Sequence, residues 1–417
     1  MRKGAVLKSS IELIYQIIEN NKQPKLEIKN YFKRNRFAGA KDKRLIQEIV
    51  FKYLKIYFSL QKICKTNLIE FNIRNSILFY FFSEYKKTTL EDIYEGKYSI
   101  QPKNEDEKIY KTAVNLKYKI LPALPDWLEK KLNTNLKKKI KEVYKSILLE
   151  PRFDLRVNNL KNRDEVIELL KKSDIPSQKS KFSPFCVTIL KRIAEKKINT
   201  IKRSFFEIQD EGSQIVTILS GARSGMKVLD YCAGKGTKTI ALLEQMQEKG
   251  TIYAYDHNFK RLNHLRKRLD LLNLCKKVSI FNHDKVFENF FDLVILDVPC
   301  TGSGVWRRRP ETIIRINRNN LKYYLKIQKE ILNNASKYCK KNGIITYITC
   351  SLFESENENQ IKSFLEKNKG FKILDINLIL KNKFNKITLN SLEQWLTLSP
   401  LEIKSDGFFI CLLKKYA

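Results

Sequence analysis

The sequence is poor in the residues that build metal sites and disulfide frameworks. It has only three histidines, and its eight cysteines are scattered singly, with no Cys-x-x-Cys pair. These absences argue against a zinc site and against a set of disulfide bonds. Reduced thiols are therefore expected, and we predict that Cys64, Cys186, Cys339 and Cys411, whose sequence neighbours are apolar, are small core residues.

Long apolar segments are also missing. No stretch reaches the roughly 18 uninterrupted apolar residues that a membrane span requires, and the strongest, Ile77 to Phe82, is much shorter. Polar residues after Arg2 and Lys3 interrupt the segment in which the apolar part of a signal peptide would lie. We therefore expect a cytoplasmic protein that does not span a membrane.

Acidic residues are heavily outnumbered by basic ones. The 417 residues include 80 Lys and Arg against 45 Asp and Glu, which gives a formal net charge of +35. Such an excess suits a polyanionic partner, and nucleic acid is the first candidate. The alternative is that many lysines merely solvate helix surfaces. The length allows two or three domains, each with its own core.

Hydrophobic spacing divides the chain into three parts. Residues 1–148 have helical spacing and predict an all-α domain, whose last helix begins near Pro125 and keeps one apolar face to Ile147. Residues 149–204 predict a small α/β connector with a strand at 154–157 and a helix at 164–172. Strands and amphipathic helices alternate over residues 205–417, which predicts a doubly wound, mostly parallel sheet. Its predicted strands are 227–231, 251–256, 278–281, 291–297 and 343–349.

A glycine-containing turn follows the first strand of this sheet, and a ligand can approach the backbone closely at such a turn. Asp256 ends the second strand, where a carboxylate can accept hydrogen bonds from both hydroxyls of a ribose. A complete Gly-x-Gly-x-x-Gly is absent, which counts against a dinucleotide, and Asp284 after the third strand is placed to meet an adenine amino group. The pattern favours S-adenosylmethionine as the cofactor. The turn residues predicted to bind it are Cys232, Ala233, Gly234, Lys235, Gly236, Thr237 and Lys238.

Two cysteines and an aspartate stand at the ends of the fourth and fifth strands. Asp297 is followed by Val-Pro-Cys300, and Cys350 follows Thr349. Taken singly, each thiol is more often structural, but the carboxyl ends of parallel strands share one crevice, so we expect all three side chains there. A thiolate that adds to C6 of a cytosine makes C5 nucleophilic, and Asp297 would then supply a proton or hydrogen bond at N3. That role requires a protonated Asp297, which burial would favour.

These blocks resemble the bacterial Sun/RsmB-type rRNA (cytosine-5) methyltransferases, and more widely the RNA cytosine-5 methyltransferases that carry two cysteines. The resemblance implies a Rossmann-like class I methyltransferase domain that uses S-adenosylmethionine. It also implies that the all-α part is a NusB-like RNA-binding domain. The blocks that carry the likeness are Arg36 to Arg44, Ile208 to Gln214, Asp297 to Cys300, Trp306 to Glu311, Thr349 to Ser351 with Glu354, Glu356 and Asn357, and Ser405 to Phe409.

The same resemblance implies roles for individual residues. Cys350 is the nucleophile, Cys300 assists product release, and Asp297 contacts both the target base and the cofactor. Asp256 and Asp284 match the ribose and adenine positions. The family's Ala-Pro-Gly-Gly-Lys loop is altered here, since the proline is replaced and one glycine has become threonine. The implied partner is RNA, either 16S rRNA or an assembling small subunit, and the implied enzyme is a monomer without a metal.

Two other functions compete with this interpretation. In DNA cytosine-5 methyltransferases the nucleophile follows a proline, as Cys300 follows Pro299. A second thiol at Cys350 has no purpose in such an enzyme, and no base-reading domain is evident. The other competitor is a non-catalytic RNA-binding or assembly factor that has kept the fold, because a fold alone does not prove an activity.

Overall fold

The computed structural model describes residues 1–158, 162–191, 193, 198, 201, 205–281, 288–383 and 393–417, without the side chains of 382 and 383. Asp284, the predicted adenine contact, lies outside these residues. The chain forms two compact units. The first comprises Met1–Glu150 with Trp306–Ile316, and the second comprises Pro151–Val305 with Asn317–Ala417.

The α-helices of the described residues are α1 (Lys3–Ile18), α2 (Pro24–Arg34), α3 (Ala40–Thr66), α4 (Ile73–Glu84), α5 (Leu90–Tyr94), α6 (Asp106–Val114), α7 (Asp126–Glu129), α8 (Thr134–Lys138), α9 (Ile140–Leu148), α10 (Arg163–Lys172), α11 (Glu211–Ile218), α12 (Thr237–Gln245), α13 (Phe259–Leu272), α14 (Glu311–Arg315), α15 (Arg318–Tyr338), α16 (Glu358–Lys367), α17 (Ile376–Lys383) and α18 (Pro400–Ile403). None of these described helices is both long enough and apolar enough to cross a membrane.

The strands of the described residues are β1 (Phe153–Val157), β2 (Ser177–Lys179), β3 (Cys186–Ile189), β4 (Phe206–Ile208), β5 (Lys227–Asp230), β6 (Thr251–Ala254), β7 (Val278–Ile280), β8 (Phe291–Asp297), β9 (Cys339–Thr349), β10 (Phe371–Leu374), β11 (Leu396–Leu398) and β12 (Phe408–Lys415). Short 3₁₀ turns lie at Cys275–Lys277, Ser303–Val305 and Glu354–Glu356.

The first unit is helical, as the spacing of its apolar residues predicts. In α3, Ile46, Ile49, Val50, Tyr53 and Leu54 are all buried, and they pack with the apolar faces of α1 and α4. The unit also contains residues 306–316, and α14 within this segment contacts α1 and α3.

The single helix predicted from Pro125 to Ile147 is wrong, because the structure divides this segment into α7, α8 and α9. Asn133 has an extended backbone, and its side-chain oxygen accepts a hydrogen bond from the Asn135 amide, so it starts a new helix. Lys139 is also non-helical, with φ −113° and ψ 32°. Apolar spacing alone could not reveal these breaks, because the faces of the short helices remain in register.

The second unit begins with a small antiparallel sheet in the order β2-β3-β1-β4. Its core includes Leu155, Val157 and Val187 from the strands, and Val166 and Leu170 from α10. The strand and helix predicted at 154–157 and 164–172 are observed within one residue. The sheet also includes β4, beyond residue 204, where the sequence placed the end of the connector.

The larger sheet has the order β10-β12-β9-β8-β5-β6-β7, with β11 paired to β12. The five strands from β9 to β7 are parallel, while β12 and β10 are antiparallel. All five predicted strands are present, and the fold is the doubly wound, mostly parallel α/β type predicted from the sequence. The strand order reverses at β5, which has β6 on one side and β8 on the other, so the ends of β5 and β8 flank a crevice.

Candidate active site

Cys300 and Cys350 lie together just beyond the carboxyl ends of β8 and β9. These two strands are parallel neighbours, and Asp297 at the end of β8 is in register with Ile348 of β9. Both loops therefore leave the same edge of the sheet. The Cys300 and Cys350 Sγ atoms are 3.3 Å apart, and both thiols are half-buried. The convergence expected from the strand ends is thus what the structure contains.

Asp297 is paired with Lys238 in this crevice. Lys238 Nζ donates to Asp297 Oδ2 at 2.7 Å, and 33% of the Asp297 side chain is exposed. Asp297 is thus only partly buried, because the strand end opens towards the crevice. The sequence assigned Lys238 to the cofactor turn only, and its pairing with a residue 59 positions away could not be read from local spacing.

The charged groups around Lys238 favour its protonated form. Burial alone would lower the pKa of Lys238, but Asp297, Cys350 and Asp230 together raise it above its usual value. The pKa of the Cys300 thiol is also raised well above its usual range, by the hydrogen bond with Cys350, by burial and by the nearby charges of Cys350 and Glu356. Cys300 is therefore held as a neutral thiol.

The glycine turn after β5 is shaped by left-handed backbone at two positions, Gly234 at φ +56° and Gly236 at φ +80°. A Cβ on Gly236 would come within 2.1 Å of Leu265 Cδ1, so only glycine fits there. The Gly234 amide donates to Asp256 Oδ2 at 2.9 Å, and the Asn258 amide donates to Asp256 Oδ1 at 2.8 Å. Asp256, which follows β6, therefore accepts a hydrogen bond from the turn after β5. The ends of the two strands are linked at the position predicted to bind the cofactor.

Arg268 of α13 holds the altered part of this turn. Its Nη1 donates to the Lys235 carbonyl at 2.6 Å and to Thr237 Oγ1 at 3.2 Å. Its Nη2 lies 2.9 Å from Glu207 Oε2 in β4. Because Thr237 supplies one of these acceptors, the threonine that replaces a glycine takes part in fixing the turn.

Two further groups, Asp230 and Cys232, lie where β5 runs into the turn. Cys232 lies among carboxylates, and burial followed by the charges of Asp230, Asp297 and Asp256 raises the pKa of its thiol well above the usual range. It is thus an inert thiol. Asp230 is 1% exposed, and its Oδ2 accepts from Thr239 Oγ1 at 2.7 Å.

Four other cysteines and Arg307 lie in the interior of the protein. Cys64, Cys186, Cys339 and Cys411 are buried, as predicted. Arg307 is only 4% exposed and lies in the segment that forms part of the first unit. Among the described residues, no group of three or more His, Cys, Asp or Glu side chains could hold a metal ion.

Two known protein families match parts of this chain. Residues 216–414 match the family described as 16S rRNA methyltransferase RsmB/F, and residues 124–194 match the ferredoxin-like domain of RsmF/B-like methyltransferases. The two matches together cover more than half of the chain. The chain belongs to the RsmB/F methyltransferase family. The methyltransferase family agrees with S-adenosylmethionine, the cofactor predicted from the sequence.

Individual members of the RsmB/F family are moderately similar. Ribosomal RNA small subunit methyltransferase B of Photorhabdus laumondii is 30% identical over 254 residues, which cover 60% of this chain and 59% of that protein. Probable ribosomal RNA small subunit methyltransferase B of Bacillus subtilis is 28% identical over 281 residues, or 64% and 61% of the two chains. The matched part of the chain thus spans about three fifths of the length of these relatives.

Solved structures show the same fold. PH0851 has a TM-score of 0.76 at 23% identity and covers 100% of this chain and 99% of its own. NSun6 from Pyrococcus horikoshii has a TM-score of 0.58 at 19% identity and covers 71% of this chain and 99% of its own.

Proposed function

We propose that the protein is an S-adenosylmethionine-dependent RNA (cytosine-5) methyltransferase that acts on small-subunit 16S rRNA through a covalent bond between Cys350 Sγ and C6 of the target cytosine. The observation that carries this proposal is the pair of thiols 3.3 Å apart beside the Lys238–Asp297 ion pair. The names of the similar proteins, which refer to small-subunit ribosomal RNA, support 16S rRNA as the substrate.

The fit of the methyl donor rests on the turn after β5. Its backbone at Gly234 carries no side chain, and a Cβ there would approach Asp256 Oδ2 at 3.9 Å in a left-handed conformation. Each Asp256 oxygen accepts one backbone amide and keeps a further lone pair for a ribose hydroxyl. S-adenosylmethionine supplies the methyl group. Cys232 to Lys238, Asp256 and Asp297 are the residues proposed to hold it, together with Asp284.

Attack begins with the Cys350 thiolate. Its Sγ forms a bond to C6, and the electron pair of the C5–C6 double bond moves into the ring towards N3 and C5. Lys238 stays protonated at neutral pH, so its ammonium group lies in the crevice with Cys350. The Lys238–Asp297 pair, with Lys238 as the source of the proton, is proposed to offer the hydrogen bond or proton that N3 needs as negative charge develops there. C5 is then able to accept the methyl group, and S-adenosylhomocysteine would be the second product.

Release reverses the first step. The C5 proton passes to water, the electrons of its bond form the C5–C6 double bond again, and the Sγ–C6 bond breaks with its electrons on Cys350. Cys300 is proposed to donate a hydrogen bond from its neutral thiol to the departing Sγ, and the 3.3 Å separation suits that contact. The two cysteines would therefore serve opposite stages, one attack and the other release.

Methyl transfer from tritiated S-adenosylmethionine tests the substrate class. The purified protein should label 16S rRNA or small-subunit particles, and bisulfite sequencing of the product should reveal one protected cytosine. Equal labelling of DNA of the same sequence would support the DNA-type enzyme instead. No labelling, together with no binding of S-adenosylhomocysteine at millimolar concentration in calorimetric titration, would favour a non-catalytic assembly factor.

The remaining proposals concern organisation. Residues 1–148 are proposed to act as a NusB-like RNA-binding domain, residues 149–204 as the connector and residues 205–417 as the catalytic domain. We propose that the enzyme works in the cytoplasm as a monomer and without a metal. Gel filtration with light scattering would test the monomer, and activity in the presence of a chelator would test the metal.

A further inference from the structure

The loops that carry the two cysteines meet at one buried carboxylate, that of Glu356. Each cysteine is followed by a hydroxyl residue, Cys300 by Thr301 and Cys350 by Ser351. Glu356 closes the 3₁₀ turn after β9 and has no exposed surface. A buried charge is tolerated where several donors compensate it, so its contacts indicate what it holds.

Four hydrogen bonds reach this carboxylate. Its Oε1 accepts from the Thr301 amide at 2.9 Å and from Gln328 Nε2 at 3.0 Å. Its Oε2 accepts from Thr301 Oγ1 and from Ser351 Oγ, each at 2.5 Å. These four donors match the acceptor capacity of an ionised carboxylate, and hydrogen bonds to a charged acceptor are the stronger kind.

We propose that Glu356 is a positioning residue that fixes the separation of the Cys300 and Cys350 thiols, a role that rests on the proposed function of the two cysteines. This one carboxylate accepts hydrogen bonds from the residue directly after each of the two cysteines. Without it, the loops after β8 and β9 would be joined mainly through Ser303, which contacts Ser351 Oγ at 3.0 Å and accepts from the Leu352 amide, and through the Gly304 amide on the Cys350 carbonyl.

The charge of Glu356 also distinguishes the two thiols. It contributes to raising the pKa of Cys300, after the hydrogen bond with Cys350, burial and the charge of Cys350. An anion fixed beside Cys300 favours the neutral thiol there. The same carboxylate thus holds Cys300 close to Cys350 and keeps it as a hydrogen-bond donor.

Glu356→Gln tests this role, because it keeps the size of the side chain but turns an –NH₂ towards hydrogen-bond donors. The readout is oxidation of the purified protein by diamide, in which two thiols lose two electrons and two protons, diamide gains them and an S–S bond forms. Mass spectrometry of the linked Cys300–Cys350 peptide gives the rate. Wild type should form this disulfide quickly, and Glu356→Gln about tenfold more slowly, because the variant lacks the charge-assisted link between the loops.

Two further variants complete the test. Glu366→Gln, which removes an exposed carboxylate from α16, should oxidise like wild type. Thr301→Val keeps the amide bond to Glu356 but removes the hydroxyl bond, and should slow oxidation about threefold. Thermal unfolding and binding of S-adenosylhomocysteine establish that each variant is folded. If Glu356→Gln does not fold, the oxidation rate of Thr301→Val decides the test.

A second measurement separates positioning from a general structural role. Glu356→Gln should lower kcat for methyl transfer while the KM for the donor stays within about twofold, because the carboxylate does not touch the turn after β5. Wild-type oxidation rates in folded Glu356→Gln and Thr301→Val would overturn the proposal. Fast disulfide formation in a wild type that methylates no RNA would contradict the proposed function and leave the positioning role intact.

Discussion

At the scale of one residue, the buried carboxyl group of Asp230 lowers the free energy of unfolding as pH rises. Its Oδ1 has no hydrogen-bond partner among the described residues, and burial raises the pKa of its carboxyl group to about 7. The folded protein therefore binds this proton more tightly than the unfolded chain. Stability that is fully present below the usual pKa of 3.8 is lost as pH rises through about 7.

Asp230→Asn should remove this pH dependence. The shift corresponds to at most about 4 kcal/mol between pH 4 and pH 8. In urea unfolding followed by circular dichroism, the variant should therefore become more stable than wild type as pH rises from 5 to 8. Asp270→Asn, which removes an exposed carboxylate, should follow wild type. Parallel stability curves for Asp230→Asn and wild type would show that burial does not perturb this group.

Prediction from sequence worked for residues whose position follows from a strand end. Asp256, Asp297, Cys300 and Cys350 lie at the same edge of the sheet, since parallel strands deliver their last residues there. The Lys238–Asp297 pair and the four bonds to Glu356 could not be foreseen, because they depend on how loops distant in sequence pack. Glu356 carried a signal all the same, as part of the block after Cys350.

The turn after β5 is the element whose behaviour depends most on this chain's own residues. Arg268→Ala removes the bonds to the Lys235 carbonyl and Thr237 Oγ1. The turn should then become less ordered, and affinity for S-adenosylhomocysteine should fall about tenfold. Calorimetric titration measures this directly. Arg266→Ala, on the exposed face of α13, should bind like wild type; equal affinity of the Arg268 and Arg266 variants would show that the turn needs no support.

Helices and strands were predicted correctly where one pattern of apolar residues dominated the segment. Strand β8 has a continuous buried apolar run, Leu293 to Leu296, and its predicted bounds agree with the observed ones. The segment after Pro125 was predicted poorly, because Asn133 and Lys139 interrupt the helix without disturbing its apolar spacing. Capping by Asn133 is a local interaction, and it outweighed the periodic pattern.

At the scale of the whole molecule, the net charge of +35 should make RNA binding strongly salt-dependent. In the first unit, Arg36, Lys41 and Arg44 are exposed, and the Phe37 ring beside them is 61% exposed. Cations next to an exposed aromatic ring suit unpaired RNA bases. This patch, rather than net charge alone, is expected to contribute to affinity.

Filter binding of an RNA hairpin tests that expectation. Arg36→Glu with Lys41→Glu should weaken binding more than Lys171→Glu with Lys172→Glu, which makes the same change in net charge on α10. Each RNA phosphate that the protein no longer neutralises should reduce the salt slope by about one. Equally weakened binding in the two double variants would assign affinity to net charge alone.

A looped cytosine should be methylated faster than the same cytosine in a perfect duplex, because the base must unstack before a thiolate reaches C6.

The central claim concerns which of two adjacent thiols attacks the base, and a denaturing gel of enzyme incubated with RNA and S-adenosylmethionine tests it most directly. Cys350→Ala should give neither methylation nor a crosslink, and Cys300→Ala should accumulate a protein–RNA adduct that survives denaturation. Wild type and Cys275→Ala, which alters an exposed thiol, should show little adduct. A crosslink in Cys350→Ala and none in Cys300→Ala would contradict the account and make Cys300 the nucleophile.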